Sequence, residues 1–126
     1  MNMTRALVVD DNPQNLKVMI QMLSKQGVTC DEYLNPLKLT DNLPALEPVD
    51  VVFLDLEMPG MDGYVVKDML REHLGDVPII AYTVHVSEMN VVRRLGFDGF
   101  LAKPLNNERF PAQLARILRG EAVWGH

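Results

Sequence analysis

Short apolar runs alternate along this chain with longer segments in which apolar residues recur at helical spacing. Three runs are continuously apolar and as long as a strand, which is typical of strands covered on both faces of a sheet; they lie at residues 6–9, 51–54 and 79–82. Residues 28–33 are more mixed and suit an outer strand, and residues 99–102 form a shorter candidate. The pattern therefore predicts five strands.

Five helices are predicted between and after these strands. They begin near residues 13, 36, 62, 87 and 110 and end near residues 27, 44, 75, 96 and 118. Asn12 and Ser87 are the predicted N-caps of the first and fourth helices, and Pro44 must end or kink the second. Pro111 lies at the start of the last helix, so we expect an irregular segment before it from Asn106. Because strand and helix alternate, the predicted fold class is α/β, a doubly wound parallel sheet.

The composition fits one compact domain. The chain has 126 residues, of which 48% are hydrophobic and 23% charged, so it can bury a core. We predict a single domain over residues 1–126, with its core in 4–118 and a short C-terminal tail, 119–126. Cys30 is the only cysteine, which excludes a disulfide framework and a zinc cluster of cysteines.

The net charge and the hydropathy of the sequence limit the kinds of partner that we expect. The net charge of −5 argues against a nucleic-acid-binding surface, which needs a basic patch. No stretch of the sequence approaches the ~20 apolar residues of a membrane span. We therefore expect a cytoplasmic protein whose partners include neither nucleic acid nor membrane.

Polar residues stand where the predicted strands end. Asp10 and Asp11 follow the first strand, Asp55 the third, Thr83 the fourth and Lys103 the fifth. In doubly wound sheets, ligands bind outside the carboxyl ends of the strands. We therefore expect three carboxylates, a hydroxyl and an ammonium group to meet at one edge of the sheet.

These groups suit phosphoryl transfer to a side chain. Three crowded carboxylates resist full ionisation, and Mg2+, which prefers hard oxygen ligands, would remove that conflict. A carboxylate is also a competent nucleophile toward phosphorus. Lys103 and Thr83 would supply a positive charge and a hydroxyl donor to phosphoryl oxygens. Each residue alone has an ordinary structural explanation, and only their conjunction at four strand ends predicts this chemistry.

The same segments resemble the response regulator receiver domains of two-component signalling. The resemblance rests on LVVDDN at 7–12, VFLDLEMPG at 52–60, IIAYT at 79–83 and GFLAKP at 99–104, and it extends from about residue 4 to residue 118. It implies a flavodoxin-like three-layer sandwich with five parallel strands in the order 2-1-3-4-5. It also implies a phosphorelay, in which a histidine kinase or histidine phosphotransfer protein donates the phosphoryl group.

The resemblance assigns a role to each residue of the predicted site. Asp55 is the expected phosphoacceptor. Asp11 and Asp55 are expected to bind Mg2+ (or Mn2+) directly, together with the backbone carbonyl of Glu57. Asp10 is expected to act largely through water, and Lys103 to pair with the phosphoryl oxygens.

Other residues are implied to switch or tune the domain. Thr83 is expected to move toward the phosphate, and Phe100 to rotate into the space that Thr83 leaves. Phe100 lacks the hydroxyl of the more usual tyrosine. Glu57 and His85 either tune the attack of water on the phosphoryl group or are ordinary exposed polar side chains. The Lys103–Pro104 bond is expected to be cis.

The predicted function is a phosphorylation-controlled switch that binds an unknown downstream protein, rather than an enzyme with its own substrate. Whether it acts alone or within a hybrid kinase is left open. A haloacid-dehalogenase-type phosphohydrolase is a rival, but it would carry a second Asp at position 57, where this chain has Glu57. A receiver that serves only as a scaffold usually loses an acidic or Lys position, and none is lost here. A dinucleotide binder is excluded because no G-x-G-x-x-G follows the first strand.

Overall fold

A computed structural model describes residues 4–125, so residues 1–3 and 126 of the predicted domain lie outside the described part. Within this range one sheet contains β1 Arg5–Val9, β2 Thr29–Tyr33, β3 Val51–Asp55, β4 Ile79–Thr83, β5 Gly99–Ala102 and β6 Val123–Gly125. The helices are α1 Pro13–Lys25, α2 Pro36–Asn42, α3 Gly63–Leu74, α4 Met89–Arg94 and α5 Phe110–Leu118. Short 3-10 turns cover Leu43–Ala45 and Val86–Glu88, and Glu57–Met58 pairs with Met61–Asp62 in a small antiparallel hairpin.

The sheet is parallel throughout, in the order β2-β1-β3-β4-β5-β6. The predicted order of the first five strands is therefore confirmed. The carboxyl ends of all these strands lie at the same edge of the sheet, which is where the predicted site residues stand. No helix in the described residues is long and apolar enough to cross a membrane.

The sixth strand corrects the prediction of a tail over residues 119–126. Val123–Gly125 pairs in parallel with β5, with Val123 beside Gly99. A side chain at position 99 would not fit, because a Cβ there would lie 2.9 Å from the carbonyl oxygen of Val123. Gly99 thus permits the close approach of β6, and Val123 is buried against the sheet.

Helices cover both faces of the sheet and give the predicted three layers. One hydrophobic cluster contains α1 and α5, and the other contains α2, α3 and α4. Successive residues of a central strand enter opposite clusters, as Phe53 and Leu54 do. Both residues are fully buried, which explains why the central strands are continuously apolar.

The ends of the helices follow the predicted signals except at α4. The Asn12 side chain accepts hydrogen bonds from the second and third residues of α1, as an N-cap should, and Asn106 caps the irregular turn before α5. The predicted cap at Ser87 is wrong, because this residue lies inside the 3-10 turn Val86–Glu88. An N-cap needs extended backbone, whereas Ser87 is already in the 3-10 turn. The helix α4 begins only at Met89.

Candidate phosphoryl and metal site

The structure brings the predicted site residues together at the carboxyl edge of the sheet. Asp10 and Asp11 follow β1, and Asp55 is the last residue of β3. One carboxylate oxygen from each of the three lies within 4.8 Å of the others. Thr83 ends β4 and Lys103 follows β5, so the predicted residues of four strands lie at the same edge of the sheet.

Asp55 is almost completely buried, with 2% of its surface exposed. Its Oδ1 accepts a hydrogen bond of 2.9 Å from the backbone N–H of Glu57 and lies 3.3 Å from the ammonium group of Lys103. Burial raises the pKa of the Asp55 carboxyl to about 6, with a further increase from Asp10, although the Glu57 hydrogen bond and Lys103 oppose the change. The carboxylate is therefore a charged group kept in an unfavourable environment, which a bound cation would relieve.

Asp10 is fully buried and held by three donors. The backbone N–H of Asn12 donates to Oδ1 at 2.9 Å, and the hydroxyl of Tyr82 donates to Oδ2 at 2.7 Å. The Lys103 ammonium lies 3.3 Å from the same Oδ2. Because of these contacts the orientation of Asp10 is fixed before any ligand binds.

Tyr82 is a member of the site that was not predicted from the sequence. Tyr82 stands directly beside Asp55 in the register of β3 and β4, and neighbouring residues of adjacent strands point to the same face of a sheet. Burial and the charge of Asp10 raise the pKa of the Tyr82 hydroxyl, which therefore stays protonated and can donate a hydrogen bond. A buried phenol needs a polar partner, and this was the signal that could have placed Tyr82 beside the carboxylates.

Lys103 lies between the two buried aspartates. Its Nζ is 3.3 Å from an oxygen of each, 4.4 Å from the centre of the Tyr82 ring, and its side chain is only 11% exposed. The Lys103–Pro104 bond is cis, as expected. The ammonium group is thus aimed into the cluster and away from solvent.

Thr83, Glu57 and His85 form a second group of contacts beside the carboxylates. The Thr83 hydroxyl donates to Oε1 of Glu57, and Nε2 of His85 lies 3.1 Å from the same oxygen. The backbone N–H of His85 donates to the Thr83 hydroxyl at 3.2 Å. Glu57 and His85 are both partly exposed and contact each other. The hydroxyl of Thr83 is directed to Glu57.

Phe100 is fully buried in β5, in the cluster that also contains Ala81. It stands in register between Ala81 of β4 and Trp124 of β6. Trp124 in turn lies against α4, where the Arg93 guanidinium is 4.5 Å from its ring centre. The aromatic residue of the predicted switch therefore has an inward position without a hydroxyl group.

The residues of the site fit a hard divalent cation. Three carboxylates converge on one point, whereas Lys103 supplies one positive charge against them. Carboxylate oxygens are the ligands that Mg2+ prefers, usually one or two together with a phosphate. The expected backbone ligand of the metal is the carbonyl oxygen of Glu57. The N–H of the same residue donates to Asp55, so Glu57 lies next to the carboxylates.

Comparison with known proteins adds the family and its relatives. The family model described as the response regulator receiver domain matches residues 6–115. The hybrid signal transduction protein dokA of Dictyostelium discoideum is 35% identical over 112 residues, which are 86% of this chain and 7% of that protein. The sensor histidine kinase GacS of Pseudomonas protegens is 32% identical over 121 residues, 90% of this chain and 13% of that protein.

Solved structures give the same result for the fold. The RcsB response regulator of Salmonella typhimurium superposes with a TM-score of 0.84 at 26% identity, over 98% of this chain and 62% of that chain. The curated relatives are much longer than the matched part, since the chain spans 7% of dokA and 13% of GacS.

Proposed function

The chain belongs to the response regulator receiver domain family of two-component phosphorelays, and we propose that Asp55 is its phosphoryl acceptor. One observation carries the proposal: the buried Asp55 carboxylate lies beside two other carboxylates and 3.3 Å from the ammonium group of Lys103. Receivers of this family take the phosphoryl group from histidine kinases or phosphotransfer proteins. The donor for this chain is therefore a phosphohistidine in such a protein.

In the proposed reaction a carboxylate oxygen of Asp55 attacks the phosphorus atom of the phosphohistidine. An O–P bond forms while the P–N bond breaks, and the electron pair of that bond returns to the imidazole, which leaves. Lys103 lies close enough to Asp55 to contact the oxygens of the incoming group and balance their charge. Asp10, held by Tyr82 and Asn12, keeps Lys103 in the cluster.

Mg2+, or Mn2+ in its place, would neutralise charge on the phosphoryl oxygens when bound. Asp11 and Asp55 would hold it through carboxylate oxygens, and Glu57 through its backbone carbonyl. Asp10 would contribute largely through water, because its two oxygens already accept hydrogen bonds from protein groups.

The switch would begin at Thr83. Phosphorylation adds a charge of roughly −1.5 to −2 and three acceptor oxygens beside this residue. The hydroxyl of Thr83 would then leave Glu57 and donate to the phosphoryl group, and Phe100 would shift with it. Glu57 and His85 would tune the loss of the phosphoryl group, since both stand at the mouth of the site with partly exposed side chains.

The output would be an interaction with a downstream protein, and the domain would catalyse no reaction beyond its own phosphorylation and slow dephosphorylation. We prefer this function to the phosphohydrolase alternative, because a haloacid-dehalogenase-type enzyme would carry a second Asp at position 57, where this chain has Glu57. Assignment of all residues 1–126 to one domain, and the cytoplasmic location, stay predictions.

Intact-mass measurement tests the proposal. The protein is incubated with acetyl phosphate and Mg2+, and Asp55→Asn is treated in the same way, with Asp41→Asn as a control that changes an exposed carboxylate of α2. We expect one acid-stable, base-labile phosphoryl group on the wild type and on the control, and none on Asp55→Asn. Labelling of Asp55→Asn at the wild-type rate would exclude Asp55 as the acceptor.

A further inference from the structure

Tyr82 is a buried member of the cluster that contacts neither the phosphoryl group nor the metal in the reaction described above. It is 1% exposed, it stands beside Asp55 in the register of the two central strands, and its hydroxyl donates to Asp10 at 2.7 Å. Every other residue of β4 before Thr83 is apolar. The phenol of Tyr82 therefore places a polar atom within the part of β4 that is otherwise apolar.

The hydroxyl group limits which lone pairs of Asp10 remain available. An ionised carboxylate offers about four lone-pair sites, two on each oxygen. On Oδ2 these face the Tyr82 hydroxyl and the Lys103 ammonium, and on Oδ1 one faces the N–H of Asn12. Tyr82 thus shares Oδ2 with Lys103 and partly neutralises the charge that Lys103 meets there.

The position of Lys103 reflects this sharing. Its Nζ lies 3.3 Å from Asp10 and 3.3 Å from Asp55, whereas a charge-assisted N–H···O bond is normally about 2.7–2.9 Å long. The ring of Tyr82 also supports the ammonium group, with 4.4 Å between Nζ and the ring centre. The ammonium group is therefore held midway and is not drawn fully to either carboxylate.

We propose that Tyr82 is a positioning residue for phosphoryl transfer: its hydroxyl competes with Lys103 for Asp10 and so keeps the ammonium group within reach of Asp55. This rests on the proposed role of Asp55. Without the hydroxyl, Lys103 would close on Oδ2 of Asp10 and withdraw from the carboxylate that receives the phosphoryl group.

Tyr82→Phe tests the proposal, because it removes the hydroxyl and keeps the ring that packs in the core and faces Lys103. The rate of labelling by acetyl phosphate with saturating Mg2+ should fall about tenfold, which is less than the ~10²–10³ lost when a charge-stabilising donor is removed outright, because Lys103 would be displaced and not removed. Tyr64→Phe is the matched control, since Tyr64 lies on α3 and packs against Phe97 away from the carboxylates. It should label at the wild-type rate.

Two measurements separate positioning from general damage. Mg2+ affinity of Tyr82→Phe, measured by calorimetry, should not weaken, because Asp11 and Asp55 keep their carboxylates and the ammonium group moves away from Asp55. In a double-mutant cycle, Tyr82→Phe should cause no further loss of rate in a Lys103→Ala background, since its effect acts through that ammonium group.

Failure of Asp55 as the acceptor is a distinct outcome, because it would appear as continued labelling of Asp55→Asn. A tenfold slower Tyr82→Phe with unweakened Mg2+ binding and a non-additive cycle supports the proposal. Labelling of Tyr82→Phe at the wild-type rate would overturn it. So would weaker Mg2+ binding, or a further tenfold loss in the Lys103→Ala background.

Discussion

Replacing Asp55 by Asn should stabilise the metal-free protein at neutral pH. The substitution keeps the shape of the side chain and an oxygen that can accept from the backbone N–H of Glu57 and from Lys103. It removes one of three carboxylates that crowd within 4.8 Å. The wild type must ionise this buried group, whereas the variant does not.

The size of the effect follows from the pKa of Asp55, which folding raises from 3.8 to about 6. Below pH 3.8 both states are protonated and the group has no effect. Between the two values the folded state binds more protons than the unfolded state, so the stability of the wild type falls as pH rises. The accumulated cost is about 1 kcal/mol at pH 4.5 and about 3 kcal/mol at pH 7.5.

Urea denaturation in EDTA measures this difference. The free energy of unfolding of Asp55→Asn should exceed that of the wild type by about 3 kcal/mol at pH 7.5, and the gap should narrow to about 1 kcal/mol at pH 4.5. Asp41→Asn, at an exposed carboxylate, should show no such gap. A variant less stable than the wild type at pH 7.5, or a gap that does not change with pH, would refute the assignment of a strained, buried carboxylate to Asp55.

Three further outcomes are expected. Mg2+ at 100 times its Kd should stabilise the wild type by about 2.7 kcal/mol in the same denaturation assay. It should stabilise Asp55→Asn much less. Equal stabilisation of both proteins would place the metal away from Asp55. Gly99→Ala should push β6 outward, because the new Cβ would lie 2.9 Å from the Val123 carbonyl oxygen. The fluorescence emission of Trp124, the only tryptophan, should then shift to the red. Unchanged emission would show that β6 had not moved. Lys67→Met should cost about 1–3 kcal/mol in urea denaturation, because the ammonium group donates to the Leu95 carbonyl at the end of α4; an unchanged midpoint would show that this bond is not needed.

The alternation of strand and helix and the convergence of the acidic residues could be predicted because both follow from patterns along the sequence, whereas the order of the first five strands was implied by the resemblance to receiver domains. Continuous apolar runs identify strands buried on both faces, and the residues after them must share one edge of a parallel sheet. Asp10, Asp55 and Lys103 were placed in this way. Their proximity in the structure needed no feature beyond the alternation of strand and helix.

Other features depend on contacts between distant parts of the chain. Strand β6 has three residues and gains its stability from β5 and from the Arg93–Trp124 contact, so its own sequence carries little signal. Lys67 is 8% exposed although lysine is seldom buried. Its partner Leu95 is 28 residues away, directly after the end of α4. The Tyr82–Asp10 bond joins residues 72 positions apart, and only the register of the sheet shows that they meet.

A crystal structure with Mg2+ and beryllofluoride, a mimic of the phosphoryl group, would show directly whether Asp55 is the acceptor. We predict beryllofluoride on the carboxylate of Asp55, in contact with the ammonium group of Lys103 and the hydroxyl of Thr83. The metal should contact Asp11 and the carbonyl of Glu57. Beryllofluoride bound at another carboxylate, or a metal that does not touch the acidic cluster, would contradict the account.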